Sequence, residues 1–158
     1  MIKIREGKIE DFKKLNQDWA WSQADWQRSA QKKTIEAISS NNQSFVVIED
    51  GNELIGELHI EWNKKEDSDA ANGTNRAYLF ALRIHPKHRG KGLGTQLMNS
   101  ALDLIRSRGF NEATIGAYKD ESHLKELYIK WGFVELLKDV LEETDEYSKY
   151  YELYLQRL

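Results

Sequence analysis

Short stretches of alternating or continuous apolar residues predict a series of strands along this chain. The dipeptide Gly51-Asn52, preceded by Asp50, predicts a tight hairpin turn between the second and third strands. Pro86 predicts the end of the fourth strand, because proline lacks the backbone donor that a sheet ladder needs. The predicted strands are Ile2–Arg5, Phe45–Glu49, Leu54–Trp62, Ala77–Ile84, Glu112–Ala117, Val134–Leu141 and Tyr150–Leu155.

Apolar residues spaced three and four apart predict helices between these strands. The predicted helices are Asp11–Trp19, Lys33–Ser40, Leu93–Arg108 and Ser122–Trp131, with a tryptophan-rich turn between the first two. The third has the clearest pattern, because Leu93, Leu97 and Ala101 share one stripe and Gly109 follows its last turn. Helices among strands, with hairpins at both ends, predict a mixed sheet in an α/β layer fold.

The composition limits the classes of protein to consider. A length of 158 residues predicts a single domain, 1–158, with its own core. The formal net charge of −3 and the lack of a bilayer-length apolar run give no reason to expect nucleic acid or a membrane as partner. The absence of cysteine excludes disulfides, thiolate metal sites and a cysteine nucleophile. With no apolar signal region at the N-terminus, we expect a cytoplasmic protein.

A glycine-rich basic turn follows the fourth strand and carries the clearest chemistry of the chain. The stretch Ile84–Thr95 reads IHPKHRGKGLGT, with Gly90, Gly92 and Gly94 alternating among basic residues. Glycines let the backbone approach a ligand closely, and the N-terminus of the following helix favours phosphate oxygens. The turn therefore predicts the binding site of a pyrophosphate-bearing cofactor. It lacks the Lys-Ser/Thr pair of a Walker loop and the G-x-G-x-x-G of a dinucleotide fold.

Two motifs resemble those of the GNAT superfamily of N-acetyltransferases. Arg89, Gly92 and Gly94 fill the family's R-x-x-G-x-G turn, which binds the pyrophosphate of acetyl-coenzyme A (acetyl-CoA). The later Leu127–Phe133, LYIKWGF, resembles the family's L-Y-x-x-x-G-F. The resemblance implies a mixed, twisted central sheet of about six to seven strands, flanked by about four helices and splayed between the fourth and fifth strands. It also implies a homodimer, because family members are often dimeric.

The resemblance implies the cofactor contacts as well. The turn residues expected to hold acetyl-CoA are Arg89, Gly90, Lys91, Gly92, Leu93, Gly94 and Thr95, and the main chain near Leu82 and Ile84 is expected to hold its pantetheine arm. Family members often place an Asn three residues before an Ala ahead of the L-Y pair. Here Glu121 and Leu124 occupy those positions. The neighbouring Lys125 has two interpretations: it reaches the phosphates of the cofactor, or it is a solvated lysine on a helix face.

Amide formation from a thioester needs groups that move protons. Tyr128 matches the tyrosine of the family motif and is the candidate acid for the leaving thiolate. A purely structural role for Tyr128 is the other interpretation. Leu124, Tyr128 and Trp131 have helical spacing, so Tyr128 would pack on the buried face of the helix in any case. Many family members carry an acidic general base on the fourth strand, but AYLFALRI contains no carboxylate.

The third strand offers candidate bases in its place. Glu57, His59 and Glu61 alternate with apolar residues and therefore share one face of the strand. One interpretation is a solvated sheet surface. The other is that one of the three lines the acceptor cleft and receives the proton, with His59 suited by its ordinary pKa. The four histidines show no metal-ligand spacing, so no metal is expected.

The segment after the first strand shapes the acceptor pocket in the family. Here it contains Trp19, Trp21 and Trp26, which either form pocket walls for a cationic ligand or pack in the core between two helices. The acidic segment Leu141–Glu152 either adds negative potential or forms a solvated turn. We expect an N-acetyltransferase that moves an acetyl group from acetyl-CoA to a primary amine in a ternary complex. The alternatives are a non-catalytic acyl-CoA-binding or sensor module and a transferase of another acyl group, such as succinyl.

Overall fold

The computed structural model describes residues 1–20 and 25–158 of the chain, and it describes their side chains except those of residues 25–27. The chain folds into two compact units. The first comprises residues 1–61 and 81–104, and the second comprises residues 62–80 and 105–158.

The first unit is built on antiparallel strands. β1 (Ile2–Glu6) pairs with β2 (Gln43–Asp50), and β2 pairs with β3 (Glu53–Glu61). Gly51 in the β2–β3 turn has a φ of 62°, which a glycine adopts without steric cost and which confirms the predicted hairpin. The helices of this unit are α1 (Ile9–Asp18), α2 (Asp25–Ser39) and the greater part of α3 (Leu93–Ser107).

The core of this unit lies where α1 and α2 cover β2. Phe12 and Leu15 of α1 pack with Phe45 and Val47 of β2 and with Leu54. All five are buried. Removal of these side chains from water supplies the main force that holds the helices to the strands.

The second unit combines one parallel and two antiparallel pairings. The start of β4 (Arg76–Ile84) pairs in parallel with β5 (Glu112–Tyr118). β5 and β6 (Glu135–Glu143) then pair antiparallel with β7 (Ser148–Arg157). Between β5 and β6 runs α4 (Ser122–Lys130).

The buried carboxylate of Glu112 ties three strands of the second unit together. It accepts hydrogen bonds from Nε of Arg76 at 3.2 Å and from Nη1 of Arg157 at 3.1 Å. Because Arg76 belongs to β4 and Arg157 to β7, this carboxylate stabilises the registers on both sides of β5.

The elements confirm the predicted α/β class. The described residues contain four α-helices and seven strands, in the hydrogen-bonded strand order β1-β2-β3-β4-β5-β7-β6. The parallel ladder covers only Arg76–Leu79 of β4 and Glu112–Ile115 of β5, although both strands continue beyond it. Pairing that stops after four residues is what the predicted splay between these strands requires. The predicted start of the second helix at Lys33 is wrong. α2 begins at Asp25, because nothing from there onward breaks a helix and tertiary packing completes it.

Candidate active site

The glycine-rich turn joins β4 to α3 in the first unit. A short 3₁₀ turn over Pro86–His88 follows the strand, and α3 begins at Leu93. Gly90 and Gly92 have φ angles of 79° and 76°, and a Cβ built on either would meet no atom within 4 Å. These two glycines are therefore required by the path of the backbone, not by crowding.

The first turn of α3 presents backbone donors. The first helical hydrogen bond is donated by the N–H of Gln96 to the carbonyl of Gly92, at 3.3 Å. The first N–H groups of an α-helix in general lack acceptors within the helix, and the helix dipole at this end favours an anion. Leu93 anchors this end, because its side chain is buried while Gly92 and Lys91 are exposed. The turn thus has the form of an anion site at a helix N-terminus.

The end of β4 departs from regular strand geometry. Ala81 has a φ of 56°, a left-handed conformation that costs about 1–3 kcal/mol for a residue other than glycine. Beyond it, Leu82 and Ile84 are half-buried, not the fully buried core residues that the strand pattern indicates. The carbonyl of Ile84 accepts a hydrogen bond from Nε of Arg89 at 3.2 Å. The turn arginine therefore folds back onto the main chain of the strand.

Tyr128 lies on the inner face of α4 in the second unit. Its side chain is 6% exposed, and its ring centroid lies 5.9 Å from that of Trp131. Burial, and to a lesser extent the charge of Glu121, raises the pKa of Tyr128 to about 12. The phenol therefore keeps its proton at neutral pH, as an acid must before it donates.

The glycine of the LYIKWGF motif ends α4 directly after Tyr128. Gly132 has a φ of 105°, and the N–H of Phe133 donates to the carbonyl of Tyr128 at 3.0 Å. Phe133 itself is fully buried. The motif therefore fixes the helix end that carries the tyrosine.

Glu121 and Lys125 precede Tyr128 at the start of α4. Glu121 is the residue immediately before the helix. The ammonium group of Lys125 lies 3.1 Å from Oε1 of Glu152, and hydrogen bonding to Tyr154 and Glu152 raises its pKa. Lys125 is thus ion-paired on a partly exposed helix face, and its contact with the cofactor phosphates stays a prediction.

The polar face of β3 is mostly buried. The interpretation of this face as a solvated sheet surface is therefore wrong for two of its three residues. Glu57 and His59 are both 0% exposed, whereas Glu61 is half-buried. Oε1 of Glu57 lies 2.5 Å from Nε2 of His59. The helices that cover β2 and β3 exclude water from this face, which periodicity along one strand does not reveal.

Aromatic rings and one arginine surround this buried pair. The imidazole of His59 stacks on Phe45, with centroids 4.8 Å apart, and meets the edge of Phe12 at 5.5 Å. Nη1 of Arg83 on β4 lies 3.5 Å from Oε2 of Glu57. The sequence reasoning missed Arg83. Its signal is a lone charge within the otherwise apolar run AYLFALRI.

Comparison with known proteins decides the family. The sequence profile of the Acetyltransferase (GNAT) family matches residues 10–133, which is most of the chain. This chain belongs to the GNAT acetyltransferase family. The match confirms the resemblance that the R-x-x-G-x-G and L-Y-x-x-x-G-F motifs indicated.

Individual relatives of this GNAT protein are distant. N-acetyltransferase 8F1 of Rattus norvegicus is 28% identical over 90 residues, which are 57% of this chain and 39% of that protein. N-alpha-acetyltransferase 30 of Schizosaccharomyces pombe is 29% identical over 108 residues, 66% of this chain and 67% of that protein. The match thus spans only about two fifths of the length of the rat relative.

A solved structure agrees with the fold of this GNAT protein over the whole chain. The paiA N-acetyltransferase of Thermoplasma acidophilum, solved in complex with coenzyme A, has a TM-score of 0.67 and 21% sequence identity. The alignment covers 100% of this chain and 99% of that one. At this identity the likeness establishes a shared fold.

The tryptophans of this GNAT protein are partly described. Nε1 of Trp19 donates to the carbonyl of Leu54 at 2.8 Å, and its ring packs against the Phe12 cluster. Trp19 also lines a cavity of about 660 Å³ together with Lys14, His85 and His88. It therefore serves both the core and a cavity wall. Trp21 lies outside the described residues, and so does the side chain of Trp26.

A tyrosine cluster around Glu142 lies within the second unit. The hydroxyl of Tyr118 donates to Glu142 at 2.9 Å, and the hydroxyl of Tyr147 donates to the same carboxylate. The ammonium group of Lys149 lies over the rings of Tyr118 and Tyr147, 5.5 Å and 5.4 Å from their centroids. The acidic segment Leu141–Glu152 therefore contributes one of these two ring faces, that of Tyr147, to the contacts of the cation.

Within residues 1–20 and 25–158, no three His, Cys, Asp or Glu side chains are grouped as metal ligands would be. None of the helices in the described part of the chain has the length and hydropathy of a membrane span.

Proposed function

We propose that this protein transfers an acetyl group from acetyl-CoA to a primary amine, by direct transfer within a ternary complex. Family membership and the anion site at the start of α3 together carry the proposal. Acetyl-CoA supplies the acetyl group as an activated thioester. The coenzyme A complex of the paiA enzyme, which shares this fold, supports the choice of carrier.

The turn between β4 and α3 has the properties needed to hold the diphosphate. Gly90 and Gly92 leave open space on the side where a Cβ would stand. The N-terminus of an α-helix offers backbone donors and a dipole that favours an anion. We assign this role to the backbone of Arg89 through Thr95, and the pantetheine contacts to the main chain of Leu82 and Ile84. The basic side chains Arg89 and Lys91 add favourable charge.

Tyr128 is the proposed acid. Its burial and raised pKa keep the phenol protonated at the pH at which a thiolate leaves. The acceptor amine needs a base as well, because a lysine-like amine with a pKa near ~10.4 is almost wholly protonated at neutral pH. Of the three β3 candidates, we propose the buried pair Glu57 and His59 over Glu61, since the pair already shares a hydrogen bond.

The acceptor is proposed to be a cationic amine. The rings of Tyr118 and Tyr147, whose hydroxyls bind Glu142, already hold the ammonium group of Lys149. The cavity wall at Trp19 offers a second aromatic surface. The cytoplasmic location and the homodimer remain predictions.

Isothermal titration with acetyl-CoA tests the first half of the function. We expect saturable binding, and no detectable binding at high micromolar concentration would refute the proposal. A thiol-release assay with spermidine, a lysine-bearing peptide and an aminoglycoside tests the second half. The missing carboxylate on β4 favours one competing function, a non-catalytic acyl-CoA sensor. Binding without turnover on any amine would support that sensor, and competition with succinyl-CoA would reveal another acyl preference.

A further inference from the structure

His85 caps the short 3₁₀ turn that leads from β4 into the glycine-rich turn. Its Nδ1 accepts a hydrogen bond from the backbone N–H of Lys87 at 3.1 Å. Its carbonyl accepts a second from the N–H of His88 at 2.8 Å. Pro86 has no N–H, so His85 accepts both backbone hydrogen bonds that Pro86–His88 can donate. The imidazole therefore takes the role that Ser, Asp or Asn usually has at an N-cap.

The same residue ties the turn to the body of the first unit. The N–H of His85 donates to the carbonyl of Ile55 on β3 at 2.8 Å. Its imidazole meets the ring of Trp19 edge-on, with centroids 5.2 Å apart. Trp19 is itself held by the hydrogen bond from its Nε1 to the carbonyl of Leu54. His85 thus joins the turn to β3 and to the residue that follows α1.

A glycine-rich ligand site needs fixed ends. Gly90 and Gly92 both have positive φ, and glycine loses more conformational freedom on folding than any other residue. Backbone donors in such a segment bind a ligand tightly only if they are ordered before it arrives. α3 orders one end of the segment, because Leu93 is buried. The cap at His85 orders the other end.

The direction of the Lys87 hydrogen bond determines where His85 carries its proton. A backbone N–H only donates, so Nδ1 of His85 is the unprotonated acceptor. The neutral imidazole then has its proton on Nε2. Two substitutions separate the acceptor atom from the ring. Asn at this position offers Oδ1, which is bonded to Cγ as Nδ1 is, whereas Phe keeps an aromatic ring against Trp19 but has no acceptor.

We propose that His85 is a positioning residue for acetyl-CoA, which acts through the backbone of the turn that it caps. This rests on the proposed binding of acetyl-CoA at that turn. The acceptor atom Nδ1 carries the role, and the packing of the ring against Trp19 does not. Loss of the acceptor leaves the N–H of Lys87 without this partner and loosens the start of the turn. The cofactor must then order the turn on binding, which lowers its affinity.

Amide hydrogen exchange tests the cap without any cofactor. We expect the Lys87 amide of the wild type and of His85→Asn to exchange about fivefold more slowly than that of His85→Phe, the usual contribution of an N-cap. Long-range ¹H–¹⁵N spectra should show the Nε2–H tautomer of His85, with its signals assigned by their loss in His85→Asn. Equal exchange in the wild type and His85→Phe, or the Nδ1–H tautomer, would overturn the proposal.

Titration with acetyl-CoA tests the positioning role. We expect His85→Phe to weaken binding about fivefold and His85→Asn to stay within about twofold of the wild type, because Asn is a good N-cap residue. With an amine that the wild type acetylates, His85→Phe should raise the KM for acetyl-CoA by the same factor and leave kcat unchanged. His123→Phe, the same change at an exposed position on α4, is the control and should bind as the wild type does.

The outcomes separate the positioning role from packing and from the proposed function. Wild-type affinity in a folded His85→Phe protein would overturn the proposal. Loss of affinity in His85→Asn with retention in His85→Phe would show that the ring contact with Trp19 matters instead. If the wild type binds no acetyl-CoA, the proposed function fails and the positioning role fails with it. The exchange of the Lys87 amide then still decides whether His85 caps the turn.

Discussion

The imidazole of His59 and the ring of Phe45 are cross-strand partners and are stacked, with centroids 4.8 Å apart and ring planes 6° from parallel. Directly opposed side chains on neighbouring antiparallel strands approach within contact distance. The β2–β3 register therefore places an ionisable ring against an aromatic one inside the core. The stability of the unit and the orientation of His59 depend on the same contact.

We expect Phe45→Ala to destabilise the protein by about 3–5 kcal/mol, the usual cost of removing a fully buried phenylalanine. Phe45 is 0% exposed and belongs to the main cluster of the first unit. Urea unfolding measures the loss. Ile2→Ala, at a 40% exposed position on β1, is the control and should cost less than about 1 kcal/mol. An equal cost at both positions would contradict the assignment of Phe45 to the core.

We expect Tyr128→Phe to lower kcat about ten- to a thousandfold while acetyl-CoA affinity is retained, because the variant lacks the donated proton but keeps the packing. Steady-state kinetics and titration with acetyl-CoA measure the two effects. Tyr150→Phe, at a 55% exposed position, is the control. An unchanged kcat in Tyr128→Phe would show that the hydroxyl of Tyr128 is not the acid and that the residue has a structural role.

The raised pKa of Tyr128 predicts that the folded protein loses stability at alkaline pH. Folding raises its pKa from 10.0 to about 12, so the unfolded chain releases this proton first as the pH rises. The stability contributed by the protonated phenol is complete below the unfolded pKa and decreases between the two values. Between about pH 9 and pH 11 the decrease is on the order of 1 kcal/mol.

The same Tyr128→Phe variant isolates this contribution, because the other tyrosines titrate in both proteins. We expect the difference in unfolding free energy between the wild type and Tyr128→Phe to shrink by that amount over the interval. Urea titrations at the two pH values measure it. A difference that does not change with pH would show that Tyr128 titrates normally in the folded protein.

We expect Gly92→Val to weaken acetyl-CoA binding at least about tenfold, a loss of about 1.4 kcal/mol. The φ of 76° is unfavourable for a β-branched residue, and the new side chain would stand on the open side of the turn. Gly109→Val is a matched control, with a φ of 82°, equally open surroundings and a place at the other end of α3. Similar affinities in the two folded variants would place the anion site elsewhere.

Local features were predictable from the chain. The hairpin at Gly51, the start of α3 at Leu93 and the helix end at Gly132 each depend on the conformational freedom of a few neighbouring residues. The start of α2 at Asp25 was not predictable. The first turns of α2 are mostly polar and lack the apolar spacing that predicts a helix. Packing of its later turns against the core stabilises the helix.

The sequence by itself determined the order of strands and helices along the chain, the glycine turn before α3 and the family. Each of these depends on residues that are close together in the sequence. Only the tertiary structure decided that Glu57 and His59 are buried and that Arg83 lies beside Glu57. Alternation along β3 predicts which side chains share a face, but not whether that face meets water. That depends on α1 and β4, which reach β3 from distant parts of the chain.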